Sequence, residues 1–138
     1  MNDKQILVDT NILVYAHDGD AGEKHIAARR RLEELWTRMV PPAVSVQVLQ
    51  ELYVNLVRKG ASNPAARRVV EDFMRRNVVT NGPAVLNEGM RLADRFGLSL
   101  WDALIVAAAR RAGAGVVWSE DLNAGQEYDG VKVENPLK

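Results

Sequence analysis

The sequence predicts an α/β domain in which helices cover both faces of a parallel sheet of short strands. Short apolar segments alternate along the chain with longer segments of helical periodicity. The chain has 138 residues, of which 47% are hydrophobic and 26% charged. This size and balance are typical of one soluble globular domain, so we treat residues 1–138 as a single domain.

The predicted strands are apolar runs bounded by polar residues or turn signals. The runs that begin at Ile6 and Val116 are three residues each, which suits a sheet buried on both faces. Five strands are predicted, at residues 4–8, 43–44, 78–80, 115–119 and 131–133.

Helices are predicted where apolar residues recur every three or four positions, as in the segment that ends at Met39. Ser45 and Ser99 are predicted N-caps, and Asn63-Pro64 reads as a cap followed by proline at the first helical position. Six helices are predicted, at residues 12–17, 23–39, 46–59, 64–76, 83–96 and 100–112.

Missing residue types exclude many kinds of active site. The chain has no cysteine and only two histidines, which excludes disulfides, thiolate metal sites and a three-histidine zinc site. Neither GxSxG nor GxxxxGK[ST] is present. The longest apolar run, residues 103–109, is too short to span a bilayer, and the N-terminal segment is unlike a signal peptide. We therefore expect a cytoplasmic protein with no membrane partner.

The net charge of zero conceals a pattern. Residues 1–20 and 113–138 each carry −3, whereas residues 21–112 carry +6. The basic excess lies mainly in arginine clusters at positions 29–31, 67–68, 75–76 and 110–111. Each cluster alone is typical of a solvated helix face, but several together also suit contact with phosphates.

Two aspartates follow predicted strands at the same edge of the sheet. Asp9 directly follows the first strand, and Asp121 lies just beyond the strand that ends near Trp118. Functional sites of parallel sheets lie at the carboxyl ends of the strands, so both side chains are candidates. The alternatives are an N-cap for Asp9 and a turn acid for Asp121.

Asp102 and Glu51 are candidates on helices. Asp102 begins a helix whose next seven residues are apolar and must be buried, although Ser99 and Asp102 also resemble a capping box. Glu51 flanks an apolar stripe of its helix, and the alternative there is a solvated glutamate. Four carboxylates without cysteine or a useful histidine suit Mg²⁺ or Mn²⁺, which prefer oxygen ligands and can promote phosphodiester hydrolysis.

Four strings in this order and spacing resemble the PIN-domain nucleases, and within them the VapC-type toxins of toxin–antitoxin pairs. The strings begin at Asp9 (DTNILVYA), Leu49 (LQEL), Ser99 (SLWDALI) and Ser119 (SEDL), and the segment 130–136 resembles the last strand of that family. The resemblance covers essentially the whole chain. It implies a three-layer fold, a metal-dependent endoribonuclease acting on RNA, a homodimer and a cognate antitoxin partner.

The resemblance also implies roles for individual residues. Asp9, Asp102 and Asp121 match the metal-binding aspartates, and Glu51 matches a glutamate that holds metal through water or orients the attacking water. The polar residues expected around them are Thr10, Asn11, Ser119 and Asn123. Ser119 stands where threonine is common, and Asn123 stands where some relatives have another acid, which leaves open one or two metal ions.

Two other functions stay open from the sequence. One is a phosphatase or phosphoacceptor domain built on Asp9, although Asn11 replaces the second aspartate of a D-x-D motif. The other is a catalytically silent PIN-like module that binds RNA. Trp101, beside Asp102, is interpreted mainly as a packing residue, with stacking on a base as the alternative.

Overall fold

The computed structural model describes residues 5–138, which form one sheet flanked by helices. The strands are β1 (Ile6–Val8), β2 (Ala43–Ser45), β3 (Asn77–Val79), β4 (Val116–Trp118), β5 (Glu127–Tyr128) and β6 (Val131–Glu134). Their order across the sheet is β3-β2-β1-β4-β6-β5, and all pairs are parallel except β5 with β6. The predicted class is confirmed: a mostly parallel sheet between helical layers.

The register of the central strands places their carboxyl ends side by side. Val8 pairs with Trp118, so the residues after these two strands, Asp9 and Ser119, are neighbours. The predicted start of the first strand at Lys4 lies outside the described residues. The other predicted strands agree with the structure to within one or two residues at each end.

Strand β5 is absent from the prediction, and it makes the sheet mixed. It pairs with β6 as a hairpin, in which Asp129 and Gly130 both have positive φ, 53° and 91°. Two such residues are typical of a type I′ turn, for which Asp-Gly is a strong signal. The Asp-Gly dipeptide is a local signal for this hairpin. Strand β5 itself is absent from the prediction because it is only two residues long and shows no alternation of apolar and polar residues.

The helices are α1 (Thr10–His17), α2 (Glu23–Trp36), α3 (Val46–Arg58), α4 (Asn63–Met74), α5 (Pro83–Phe96) and α6 (Leu100–Arg111), with a 3₁₀ turn at Gly19–Ala21. Ser45 and Ser99 cap α3 and α6, as predicted. The prediction for α4 is wrong by one residue, because Ser62 accepts the capping bond and Pro64 is the second helical residue.

Two predicted helix ends are also wrong. Helix α1 begins at Thr10 instead of residue 12, because the Asp9 carboxylate accepts the Thr10 N–H and caps it there. Helix α2 ends at Trp36 instead of residue 39, because Thr37 turns back to the Glu34 carbonyl through both its N–H and its hydroxyl. Met39 is consequently 90% exposed and belongs to no helix face.

Helix α6 is the centre of the core. Its residues 103–109 are all buried, and it contacts β1, β2, β4 and β6 while α5 packs along it. The two helices approach closely at Gly89, where an added Cβ would lie 2.6 Å from Leu104 Cδ2. Helix α1 packs against α2 and α3. No helix in the described part of the chain is long and apolar enough to cross a membrane.

We predict that Gly89→Ala destabilises the protein as long as Leu104 is present. Overpacking costs about 1–3 kcal/mol, and the better helix propensity of alanine returns about 1 kcal/mol. In a Leu104→Ala background the steric conflict is gone, so the same change should become neutral or stabilising. Urea unfolding of the four proteins in this double-mutant cycle measures the coupling. Equal effects of Gly89→Ala in both backgrounds would contradict the close approach.

Candidate active site

A cavity of about 370 Å³ opens at the carboxyl ends of β1 and β4. Four acidic side chains from four separate segments line it: Asp9, Glu51, Asp102 and Asp121. Asp9 follows β1 and Asp121 follows β4, whereas Glu51 lies within α3 and Asp102 lies in the first turn of α6. The fold therefore gathers all four candidate carboxylates at one place, although they are up to 112 positions apart in the sequence.

Asp9 is the buried member of the group, with 7% of its surface exposed. Its backbone N–H donates to the Trp118 carbonyl at 2.9 Å, which continues the pairing of β1 with β4. Its Oδ1 accepts the Thr10 N–H at 2.7 Å, and its Oδ2 accepts the Ser119 hydroxyl at 2.8 Å. The N-cap interpretation of Asp9 is thus correct, and it coexists with a place in the cavity wall.

Burial raises the pKa of Asp9 from its usual 3.8 to about 6. The hydrogen bonds from Ser119 and Thr10 oppose this rise, whereas the charges of Glu51 and Asp121 add to it. Asp9 is therefore a carboxylate whose ionised form is stabilised by its hydrogen bonds but opposed by burial and by its acidic neighbours. Such a group favours a nearby cation.

Ser119 joins Asp9 to the loop that carries Asp121. The Ser119 hydroxyl is fully buried, donates to Asp9, and accepts the backbone N–H groups of Asp121 and Leu122 at 3.1 and 3.3 Å. Asn11 holds the same loop from α1, because its Oδ1 accepts the Glu120 N–H at 3.1 Å. These bonds fix the backbone of Asp121 relative to Asp9.

Glu51 is held at the cavity wall by a hydrogen bond from α1. The Thr10 hydroxyl donates to Glu51 Oε1 at 2.7 Å, across 41 positions of sequence. Thr10 is buried and Glu51 is partly buried. The solvated-glutamate interpretation does not describe this side chain, which has a specific partner beside Asp9.

Asp102 lies at the start of α6 with its side chain on the cavity. Its backbone N–H donates to the Ser99 hydroxyl at 3.1 Å, which is one half of a capping box. The other half, a bond from the Ser99 N–H to the Asp102 carboxylate, does not occur in the described structure. The Asp102 carboxylate is therefore left available to the cavity.

Asn123 does not line the cavity, and unlike Ser119, which lies behind the wall and binds Asp9, it makes no hydrogen bond to the four carboxylates within the described residues. Its side chain is exposed, and its carbonyl accepts the Gln126 N–H at 3.1 Å in the turn before β5. Its predicted contribution to a second metal ion stays a prediction. The arginine clusters likewise do not line this cavity, and contact between them and phosphates also stays a prediction.

The sequence analysis missed a polar cluster at the cavity margin. Tyr15 lines the cavity and donates its hydroxyl to Glu120, which also pairs with Lys24 at 2.7 Å. Lys24, and then the Tyr15 hydroxyl, hold the pKa of Glu120 below its usual range. Nothing in the separate strings around these three residues indicates that they meet.

Gln47 and Trp101 also line the cavity, and the sequence analysis gave Gln47 no role. Gln47 is 5% exposed and donates its amide to the Trp101 carbonyl at 3.4 Å. The packing interpretation of Trp101 is wrong, because its side chain is 63% exposed. Trp101 occupies the second position of α6, on the rim of the site rather than on the buried side of the helix.

The donor set fits a hard divalent cation in its chemistry. Four carboxylates line the cavity, and Lys59, a basic residue of the same wall, is engaged with Asp18 at 3.1 Å. The described residues include no group of three acidic or histidine side chains placed to bind one ion together. Mg²⁺ is usually held by only one or two carboxylates and keeps several waters. Burial, and to a smaller extent the charges of Glu51 and Asp121, raise the pKa of Asp9, and such an ion would oppose both effects.

Comparisons with known proteins agree with this architecture. The family model described as "PIN domain" matches residues 6–126. No curated protein sequence matches the chain. Among solved structures, a toxin–antitoxin complex from Klebsiella pneumoniae is similar with a TM-score of 0.71 and 21% identity, covering 96% of this chain and 98% of that one.

Two further solved structures are similar. VapC20 from Mycobacterium tuberculosis, described as a toxin that cleaves the sarcin–ricin loop, has a TM-score of 0.66 and 23% identity over 85% of this chain and 92% of that one. VapBC2 from Rickettsia felis, bound to a promoter DNA fragment, has a TM-score of 0.65 and 21% identity over 94% and 97%. At these identities the likeness shows a shared fold.

We predict that Asp9 makes the metal-free protein less stable as pH rises. Its pKa is higher in the folded protein than in the unfolded chain, so the folded state binds the extra proton between pH 3.8 and about 6. The stability this provides is complete below that window and is lost across it, a change on the order of 3 kcal/mol. Asp9→Asn should flatten this slope in urea unfolding with EDTA present.

Adding Mg²⁺ provides the internal control, since a cation should restore the stability of the native protein above pH 6 and leave Asp9→Asn less affected. An Asp9→Asn protein that keeps the same slope as the native protein would contradict the assignment of the titrating group.

Proposed function

The chain belongs to the PIN domain family, and from this premise we propose that it is a metal-dependent endoribonuclease, the toxin of a VapBC-type toxin–antitoxin pair. The observation that carries the proposal is the convergence of Asp9, Glu51, Asp102 and Asp121 on one open cavity. Phosphodiester hydrolysis by a divalent cation requires a carboxylate group of this kind. We expect the reaction to take place in the cytoplasm, where the RNA substrate is found.

We propose that Asp9, Asp102 and Asp121 hold the metal ion, directly or through its water molecules, with Glu51 acting through a water molecule. A Mg²⁺ or Mn²⁺ ion held there would neutralise phosphate charge and promote ionisation of the attacking water. This assignment is supported by the chemistry of the donors and by the burial of the Asp9 carboxylate beside the charges of Glu51 and Asp121.

The protein's own groups set the geometry of this chemistry. Ser119 and the Thr10 N–H fix both oxygens of the Asp9 carboxylate, which limits its rotation. The Thr10 hydroxyl donates to one oxygen of Glu51, and this bond restricts the orientation of the whole carboxylate. We propose that Glu51 orients the attacking water, because it is a partly buried acceptor with a defined partner beside Asp9.

The proposed partners are an antitoxin and a second copy of the chain. Solved structures of the same fold include toxin–antitoxin complexes, among them the DNA-bound VapBC of Salmonella typhimurium. A cavity lined by four carboxylates attracts a guanidinium group, whose flat fork can pair with a carboxylate through two bonds. We propose that an arginine of a disordered antitoxin tail occupies the cavity and excludes the cation.

We predict that RNA cleavage requires Mg²⁺ or Mn²⁺ and that Asp102→Asn reduces it at least about 100-fold, because charge stabilisation of the transition state is lost. The matched control is Asp94→Asn, the same change at an exposed acid of α5 outside the cavity, which should keep full activity. Initial rates on single-stranded RNA, with melting temperatures for each protein, provide the measurement.

Ser99→Ala separates this role of Asp102 from helix capping. It removes the cap of α6 and should cost about 1 kcal/mol of stability while activity remains. Cleavage that continues unchanged in excess EDTA, or an Asp102→Asn protein that is unstable yet active, would overturn the proposed mechanism.

We predict that the product of an adjacent gene inhibits cleavage through one arginine of its tail. Arg→Ala in that tail should weaken inhibition at least about 30-fold, since a buried charge pair loses one partner, and Arg→Lys should fall between the two. Inhibition measured at rising Mg²⁺ should decline if cation and arginine compete. Full inhibition by a tail-truncated protein would disprove the arginine model.

A further inference from the structure

Trp101 differs from the other exposed apolar side chains in its location. Isolated hydrophobic residues are normal on protein surfaces, so its 63% exposure alone indicates nothing. In the described part of the chain, however, Trp101 is the one large exposed apolar residue that lines the carboxylate cavity. The others lie elsewhere: Ile26, Met39, Val54, Met74, Leu86 and Met90.

The indole is attached to a rigid part of the fold. Trp101 belongs to the first turn of α6, which Ser99 caps and whose following residues 103–109 are buried. The Gln47 amide, itself buried, donates to the Trp101 carbonyl from α3. The backbone that carries the ring is therefore fixed before any ligand arrives, which lowers the entropy cost of using the ring as a binding surface.

The same wall contains a polar atom without a partner. Gln47 Oε1 is buried and has no hydrogen-bond partner among the described residues. A buried unpaired acceptor is costly, and one in a cavity wall indicates a ligand that brings a donor. A nucleotide offers such donors in its base N–H groups and, in RNA, its 2′-hydroxyl.

A cation held by the neighbouring carboxylates would suit a nucleotide as the occupant of this wall. Trp101 directly precedes Asp102, which places an aromatic ring beside the carboxylates that would bind a cation and, through it, a phosphate. Combining a site for the backbone charge with an aromatic ring is the usual way in which proteins hold single-stranded nucleic acid.

We infer that Trp101 stacks on an unpaired base of the RNA next to the phosphate at the carboxylates, and that Gln47 holds the backbone from which this ring projects. The inference rests on the proposed ribonuclease function. It makes the substrate single-stranded at this point, because a base inside a duplex cannot present its face to the indole. Trp101 thereby contributes substrate affinity, while the carboxylates contribute the chemistry.

The test compares labelled oligoadenylate with an oligomer of the same length that carries abasic residues, with Ca²⁺ in place of Mg²⁺ so that binding is measured. Trp101→Ala should weaken binding of oligoadenylate roughly 5- to 150-fold, the range found for base–aromatic stacking. It should have little further effect on the abasic RNA, which has no base to stack. Trp101→Phe should retain most of the affinity.

Two more variants test the physical cause. Trp101→Leu keeps an apolar side chain without a ring and should resemble Trp101→Ala. Gln47→Leu should weaken oligoadenylate binding more than abasic binding, a selective loss that a merely structural effect would not produce. Met90→Ala, an exposed apolar residue of α5 outside the cavity, is the control and should leave both affinities unchanged.

Equal losses on both RNAs would overturn the stacking inference, as would unchanged affinity in Trp101→Ala. A Trp101→Ala protein that binds RNA normally but fails to dimerise or to bind an antitoxin would make Trp101 a protein contact instead. The native protein separates failure of the two proposals: if it neither binds nor cleaves RNA, the proposed function itself is wrong.

Discussion

The hydrogen bond from the Ser119 hydroxyl to the buried Asp9 carboxylate is the interaction on which the rest of the site depends. It joins the residues that follow the two central strands, at the point where the parallel register of β1 and β4 brings them together. Asp9 also caps α1, and Ser119 also holds the loop that carries Asp121. A single buried contact thus connects the sheet register to the positions of two carboxylates.

The site is assembled at a cost to the fold. Asp9 is buried beside two other acids, and burial, with the charges of Glu51 and Asp121, raises its pKa to about 6. The hydrogen bonds that hold it lower that pKa only in part, so they orient the carboxylate without neutralising it. The unfavourable burial of this charge is consistent with the proposed binding of a cation.

Much of this architecture is predictable from the sequence, and the exceptions have physical reasons. The apolar triplets of β1 and β4 and the serine caps of α3 and α6 are local signals, and they place Asp9, Glu51, Asp102 and Asp121 on the correct elements. The bond from Thr10 to Glu51 is not predictable in this way, because it depends on how α1 and α3 pack across 41 positions. Periodicity also placed Met39 in α2, which ends before it, and the apolar character of Trp101 predicted packing although its side chain is exposed at the cavity.

The first turn of helix α6 carries both a carboxylate of the cavity, Asp102, and the exposed aromatic ring of Trp101. The buried residues 103–109 of this helix pack against four strands, so the helix cannot shift without disrupting the core. The first turn, in contrast, emerges at the cavity, where the capped backbone presents Trp101 and Asp102 in succession. Adjacent residues on a helix project about 100° apart, so the ring and the carboxylate face neighbouring regions of the same opening. Because both residues belong to this one turn, the core of the protein rather than a loop would set the distance between a base on Trp101 and a phosphate at Asp102 in the proposed complex.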